Sequence, residues 1–151
     1  MKITKSQLRQ LIKEEVMNEI GQVSDINIDM EDLALVYDEE FNSLYIGVGN
    51  GAPWPREIRS PGGGDDLFLS AIVSVDVETG RMNWYYQTTP GDNWDYSSAM
   101  DMTLGEIEFG GEIRKVVLQA PKNGFFYVID RENGELLRAL PYTEGIDWAT
   151  H

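Results

Sequence analysis

The chain has 151 residues, a formal net charge of −14 and no cysteine. Its length allows one domain with a real core, and the spread of Trp, Tyr and Phe argues against disorder. The acidic field repels phosphate backbones and anionic membrane surfaces and suits divalent cations or basic proteins. The lack of cysteine excludes disulfides, zinc–thiolate sites, iron–sulfur clusters, thiol nucleophiles and covalent c-type haem. No apolar run approaches the roughly 20 residues of a membrane helix. The basic N-terminal residues are followed by no apolar stretch, so no secretory signal is expected.

In chain order, Thr4 to Ile20 predicts an amphipathic helix. Leu8, Leu11, Ile12, Val16 and Ile20 form one stripe at steps of three and four. Thr4 with Gln7 fits a capping box, and Gly21 is placed to end the helix. The stripe is expected to pack on its own domain, on a copy of itself or on a docking partner.

From Val23 the texture changes to short apolar runs separated by Gly, Asp and Asn. Strands are expected at Leu33–Tyr37, Ser43–Val48, Leu69–Val75, Asn83–Gln87, Lys115–Gln119, Gly124–Ile129 and Leu136–Ala139. Turn signals lie between them at Asp38 to Asn42, Glu78-Thr79-Gly80, Phe109-Gly110-Gly111 and Glu132-Asn133-Gly134. A weak repeat is visible. Ser74 to Trp84 reads as strand, D-x-x-T-G turn and strand, and Val128 to Glu135 repeats its front half. The two turn residues Asp76 and Asp130 are 54 positions apart, the scale of one propeller blade. Asp recurs because it caps the turn, and Gly because it supplies positive φ. In the second copy Arg138 stands where the first has Trp84.

Four stretches carry a more specific signal: Tyr45 to Trp54, Arg59 to Asp65, Tyr86 to Tyr96, and Ala120 to Val128. With the Ser74–Trp84 hairpin and Asp147-Trp148-Ala149-Thr150, they resemble the pyrroloquinoline-quinone-dependent (PQQ-dependent) quinoprotein alcohol dehydrogenases, most closely the soluble quinohaemoprotein type. The likeness runs from roughly residue 33 to the end. The hairpin resembles the tryptophan-docking motif that staples neighbouring blades in that family. The resemblance implies a mainly β fold, a partial β-propeller of about two to three antiparallel blades of the eight-bladed quinoprotein fold. The N-terminal amphipathic helix would precede it, giving segments 1–21 and 22–151.

The resemblance also implies PQQ bound over calcium, oxidation of a small-molecule alcohol, a cytochrome c-type electron acceptor and a periplasmic setting. Asn50 matches a family calcium ligand. Asp95 matches the catalytic base that also approaches the ion. Lys122 matches the basic residue that contacts the quinone oxygens. The residue types suit that chemistry: calcium takes six to eight oxygens at about 2.3–2.6 Å and acts as a Lewis acid. A carboxylate can take a hydroxyl proton, and a lysine can stabilise negative charge on a reduced oxygen. Ser97 stands where lanthanide-dependent relatives resemble a second Asp, which favours calcium. Trp54, Trp84, Trp94 and Trp148 are expected to pack between blades or to line a pocket. His151 receives no role.

Departures from the family pattern shape the expectation. No residue matches the family's glutamate ligand for calcium, and the vicinal cysteine pair that covers one face of PQQ has no counterpart. The uncovered blade faces are expected to meet further blades or to self-associate. The competing expectation is a non-catalytic propeller-like scaffold, or a truncated remnant, with a partner-docking helix.

Overall fold

The computed structural model describes residues 34–149. Strands β1 (Ala34–Asp38), β2 (Ser43–Gly47), β3 (Ala71–Asp76) and β4 (Met82–Gln87) form one antiparallel sheet in sequence order. Strands β5 (Met102–Phe109), β6 (Glu112–Gln119), β7 (Phe125–Asp130) and β8 (Leu136–Pro141) form a second sheet of the same order. A one-turn helix, α1 (Arg56–Arg59), interrupts the β2–β3 connection. The expected helix at Thr4–Ile20 lies outside the described residues.

Each expected strand is present with its ends within three residues, β6 starting three residues early at Glu112. β5 is an addition. Met102 and Leu104 face the core between the sheets, whereas Ile107 and Phe109 pack on the opposite face. The apolar positions therefore change parity midway, and Glu106 and Glu108 interrupt them, so no run of period two stands out. The Phe109–Gly111 turn signal is the hairpin that pairs this strand with β6, in register Phe109↔Glu112.

The repeat seen in the sequence is a repeat in register. Ser74 pairs with Trp84 and Val128 with Arg138, and each hairpin shifts register just after that pair. The Asp76 carboxylate accepts from Glu78 N at 3.1 Å, and that of Asp130 from Glu132 N at 2.8 Å. Asp76 O accepts from Gly80 N and Asp130 O from Gly134 N, closing equivalent turns. The two turns thus share the Asp cap and the backbone closure, while Thr79 adds two bonds to the Asp76 carboxylate.

The sheets face each other across a core of Tyr45, Ile72 and Trp84 from one and Met102, Val117, Phe125, Tyr127 and Ile129 from the other. Tyr45 and Trp84 pack with ring centroids 5.5 Å apart. Trp84 reaches the second sheet's β7–β8 turn. Its Nε1 donates to Arg131 O at 3.0 Å, and its ring lies so close to Gly134 that a Cβ there would sit 2.8 Å from Cδ2. Arg131 reaches back, its Nη1 2.9 Å from the Asp38 carboxylate, which also accepts from the Tyr45 hydroxyl at 3.1 Å. Burial first, then the Asp38 charge, raises the Tyr45 hydroxyl pKa well above its ordinary value. That hydroxyl stays a neutral donor.

Both sheets are meanders, so their connections divide between two ends. The tight turns β1–β2, β3–β4, β5–β6 and β7–β8 lie at one end. The β2–β3, β4–β5 and β6–β7 connections lie at the other, and Asn50, Asp95 and Lys122 are carried one on each.

Candidate functional site

The β2–β3 connection leaves β2 at Gly47, which must be glycine for steric reasons. A Cβ there would fall 2.2 Å from Ser98 O, so the β4–β5 connection lies directly on its backbone. Ser98 N donates to Val48 O at 3.0 Å, and Ser70 N to Gly49 O at 3.0 Å. These bonds fix the backbone just before Asn50.

The β4–β5 connection is shaped by Asp92, which is buried. One of its carboxylate oxygens accepts from Trp94 N at 2.9 Å and the other lies 3.1 Å from the Ser70 hydroxyl. Ser70 Oγ is also 3.0 Å from Tyr96 O. Between these anchors Asp95 takes a left-handed conformation, φ +59°, which Asp tolerates better than most residues. Its side chain therefore projects from a bend pinned on both sides.

On the β6–β7 connection, Asn123 is buried beneath Lys122. Its Nδ2 lies 3.2 Å from Thr88 O, 3.1 Å from Thr89 Oγ1 and 2.8 Å from the Tyr127 hydroxyl. The Tyr127 hydroxyl itself donates to Thr88 O at 3.0 Å. Burial holds that hydroxyl's pKa well above its ordinary value, so it remains a donor. The second sheet's connection is thereby clamped to the end of β4 in the first.

These anchors bring the three sequence-predicted site residues together. Asn50 Nδ2 donates to Asp95 Oδ1 at 2.9 Å. Lys122 Nζ lies 3.8 Å from Asp95 Oδ2. The Asp95 and Lys122 side chains are 61% and 48% exposed, so this pairing adds little stability. Asn50 Oδ1, in contrast, is shut off from solvent and has no donor among the described residues. A buried acceptor left in that state costs about 1–3 kcal/mol. A hard cation shared with the Asp95 carboxylate would remove that deficit, and the oxygen chemistry of the two side chains fits one. The fit is partial: among the described residues no three Asp, Glu, His or Cys side chains converge on one point.

Beside Asp95 lies an aromatic group that the sequence did not reveal as a unit. Trp94 stacks on Tyr96 at 5.8 Å, and both rings lie within 5.7 Å of Trp148. Phe125 meets Trp148 edge-on, and Trp148 Nε1 donates to Asn123 O at 2.9 Å. Trp94 is 50% exposed, so the group presents an open ring. Burial, followed by Asp92 and Asp147, raises the Tyr96 pKa. Ser97 Oγ accepts from Ala99 N at 3.1 Å and lies beside the Gly49 backbone. Trp54 is exposed, and His151 is outside the described residues.

The Asn123 clamp and the Asp92–Ser70 anchor were also not singled out by sequence. The only local signal for Asn123 was its place between Lys122 and Gly124.

The family profile of the PQQ glucose/ethanol/alcohol dehydrogenase β-propeller domain matches residues 34–142. The chain belongs to this quinoprotein family. It is 51% identical over 122 residues to quinohemoprotein alcohol dehydrogenase ADH IIB of Pseudomonas putida, a match covering 78% of this chain and 18% of that protein. The solved structure of quinohemoprotein alcohol dehydrogenase ADHIIG from Pseudomonas putida HK5 superposes with a TM-score of 0.71 at 56% identity, covering 73% of this chain and 16% of that one. A europium-containing methanol dehydrogenase superposes with a TM-score of 0.68 at 34% identity, covering 72% of this chain and 19% of that one. The two sheets are thus two antiparallel blades of a quinoprotein propeller, and the chain spans less than a fifth of the length of these relatives. Among the described residues no helix is long and apolar enough to cross a membrane.

Proposed function

We propose that these two quinoprotein blades contribute the Asn50–Asp95–Lys122 corner of a PQQ- and calcium-dependent alcohol dehydrogenase site. The observation that carries this reading is the meeting of those three side chains from three separate connections, with Asn50 Oδ1 left without a partner among the described residues. When bound, PQQ supplies the hydride acceptor and calcium the Lewis acid.

The chain's own residues have distinct tasks. Asn50 and Asp95 offer oxygens to the cation, and Asn50 Nδ2 holds the Asp95 carboxylate in one orientation. The Asp95 carboxylate takes the hydroxyl proton as the alcohol carbon gives up its hydride, leaving an aldehyde. Lys122, held by the Asn123 clamp on the other side of Asp95, places positive charge where the acceptor gains electrons. Trp94, next to Asp95 in the chain, and Trp148 form an aromatic wall on one flank of the proton transfer. In this reading the reaction is periplasmic, and the electrons pass on to a c-type cytochrome.

Two oxygen-bearing side chains fall short of a full calcium shell. That shortfall favours one second reading, in which the sheet pair is a non-catalytic scaffold or remnant that keeps the inherited corner.

The test is titration of the purified chain with PQQ, with and without calcium, following tryptophan fluorescence, because Trp94 and Trp148 border the corner. Saturable quenching that requires calcium and weakens in Asp95→Ala is expected. No saturation at high micromolar PQQ would rule out the enzymatic reading and leave the scaffold.

A further inference from the structure

The connections that carry Asn50 and Asp95 are held together near the sheets by Ser98 N on Val48 O and Ser70 N on Gly49 O. Farther out, the same two connections are joined through one cation, Arg59, whose side chain is only 10% exposed. Arg59 is the last residue of α1, and its N–H closes that turn on Pro55 O at 3.1 Å. The turn carries the side chain back against the backbone that follows Asn50.

The guanidinium gathers four acceptors from three stretches of chain. Nη1 donates to Pro53 O at 3.2 Å and to Trp54 O at 2.8 Å, both just after Asn50. Nη2 donates to Asp92 O at 2.8 Å, in the bend that carries Asp95, and to the Asp66 carboxylate at 3.0 Å. The stem takes part as well. A Cβ on Gly51 would come within 3.1 Å of Arg59 Cδ, so the residue after Asn50 rests on that methylene. Arg56 N also joins the two connections, through Asn93 Oδ1, but that bond is exposed. The Nη2 bonds of Arg59 are more sheltered, and a donor fixed there holds more strongly.

Each corner residue is thus fixed on both sides. Asn50 sits between Gly49, held by Ser70, and Gly51, seated on Arg59. Asp95 sits between Asp92, held by Arg59 and Ser70, and Ser98, held by Val48. Arg59 makes no hydrogen bond to Asn50, Asp95 or Lys122 among the described residues, so its effect on them passes through the backbone. The task suits arginine and not lysine. A planar fork serves carbonyls on separate segments at once, whereas an ammonium is a single point of charge.

We infer that Arg59 is a positioning residue for the corner, setting the spacing of Asn50 and Asp95 by tying the backbone after Asn50 to Asp92. The purpose of that positioning rests on the dehydrogenase reading, whereas the positioning itself is readable in the free chain.

Heteronuclear NMR on the full chain tests it through the Asn50 side-chain NH2, which is bonded to Asp95. Asp95→Ala gives the position of the unbonded amide. Arg59→Lys keeps a cation beside Asp66 but loses the fork. Arg59→Met with Asp66→Asn removes the ion pair whole, and serves where Arg59→Lys does not fold. In either variant the Asn50 resonances are expected to move at least halfway to their Asp95→Ala position. The Trp84 Nε1 resonance, bonded to Arg131 O at the tight-turn end of the sheets, is expected to stay in place. Unmoved Asn50 resonances, or Asn50 resonances already the same in wild type and Asp95→Ala, would overturn the inference. So would an equal shift at Trp84, which would mark Arg59 as a general support of the fold. The calcium-dependent PQQ titration separates the two readings. Where wild type binds PQQ, Arg59→Lys should weaken binding about tenfold, and undiminished binding would also overturn the inference. Where wild type binds none, the dehydrogenase reading fails and the Asn50 resonances still decide the role of Arg59.

Discussion

Gly134→Ala and Gly80→Ala form a matched pair that measures what the Trp84 contact between the blades contributes. Both glycines close equivalent turns, with φ of +76° and +70°. An alanine at either position carries the left-handed conformational cost of about 1–2 kcal/mol. At Gly80 the added methyl meets nothing within 4 Å among the described residues. At Gly134 it meets Trp84 Cδ2 and Cε3 at 2.8 Å and Cγ at 3.0 Å. The indole cannot simply turn away, because its Nε1 is bound to Arg131 O and its ring is packed on Tyr45. Overpacking of this kind costs about 1–3 kcal/mol. Gly134→Ala is therefore expected to lose about 1–3 kcal/mol more than Gly80→Ala. With a urea m-value of about 1–3 kcal/mol/M, their midpoints should differ by roughly 1 M in unfolding followed by far-UV circular dichroism. In a Trp84→Val background the difference should vanish, since the clash is then gone. Equal losses at the two glycines in the wild-type background would refute the claim that Trp84 is held tightly on the second blade.

The remaining predictions concern ion pairing and the clamp. Arg131→Met leaves the Asp38 carboxylate, 2% exposed, without its cation; a loss of about 3–5 kcal/mol is expected in the same urea assay, and a loss under about 1 kcal/mol would contradict it. Asp66 is pushed up by burial, but hydrogen bonds from Ser60 and Arg59 and the guanidinium charge outweigh that and hold it below its ordinary value. A depressed folded pKa gives stability that is present above about pH 4 and is lost as pH falls through the folded value. The stability gap between wild type and Asp66→Asn should therefore be full at neutral pH and close below about pH 4; a gap that widened in acid would reverse the assignment. Asn123→Ala leaves Thr88 O with only the Tyr127 hydroxyl and frees Thr89 Oγ1. A loss of about 2 kcal/mol is expected, with a shift in tryptophan emission because the Asn123 side chain holds in place the backbone whose carbonyl accepts from Trp148 Nε1; unchanged emission would show that the clamp does not set the aromatic group.

The sequence alone determined the parts of this protein whose causes are local. The D-x-x-T-G turn at Asp76 and the D-x-x-N-G turn at Asp130 fold through hydrogen bonds spanning two to four residues, so their spacing announced two similar hairpins. Asn50, Asp95 and Lys122 were legible because each sits in a short run similar to a family motif. Tertiary structure decided what depends on distant partners. β5 is a strand because β6 pairs with it, although its own apolar residues change face midway. The Ser74–Trp84 hairpin resembled a docking motif, but Trp84 packs on Gly134 and Arg131 because the sheets lie face to face. Asn50, Asp95 and Lys122 meet because a meander places alternate connections at one end and because Gly47, Ser70 and Asn123 hold those connections against one another. Those restraints act across tens of residues, where sequence periodicity carries no signal and only packing and hydrogen bonding fix the geometry.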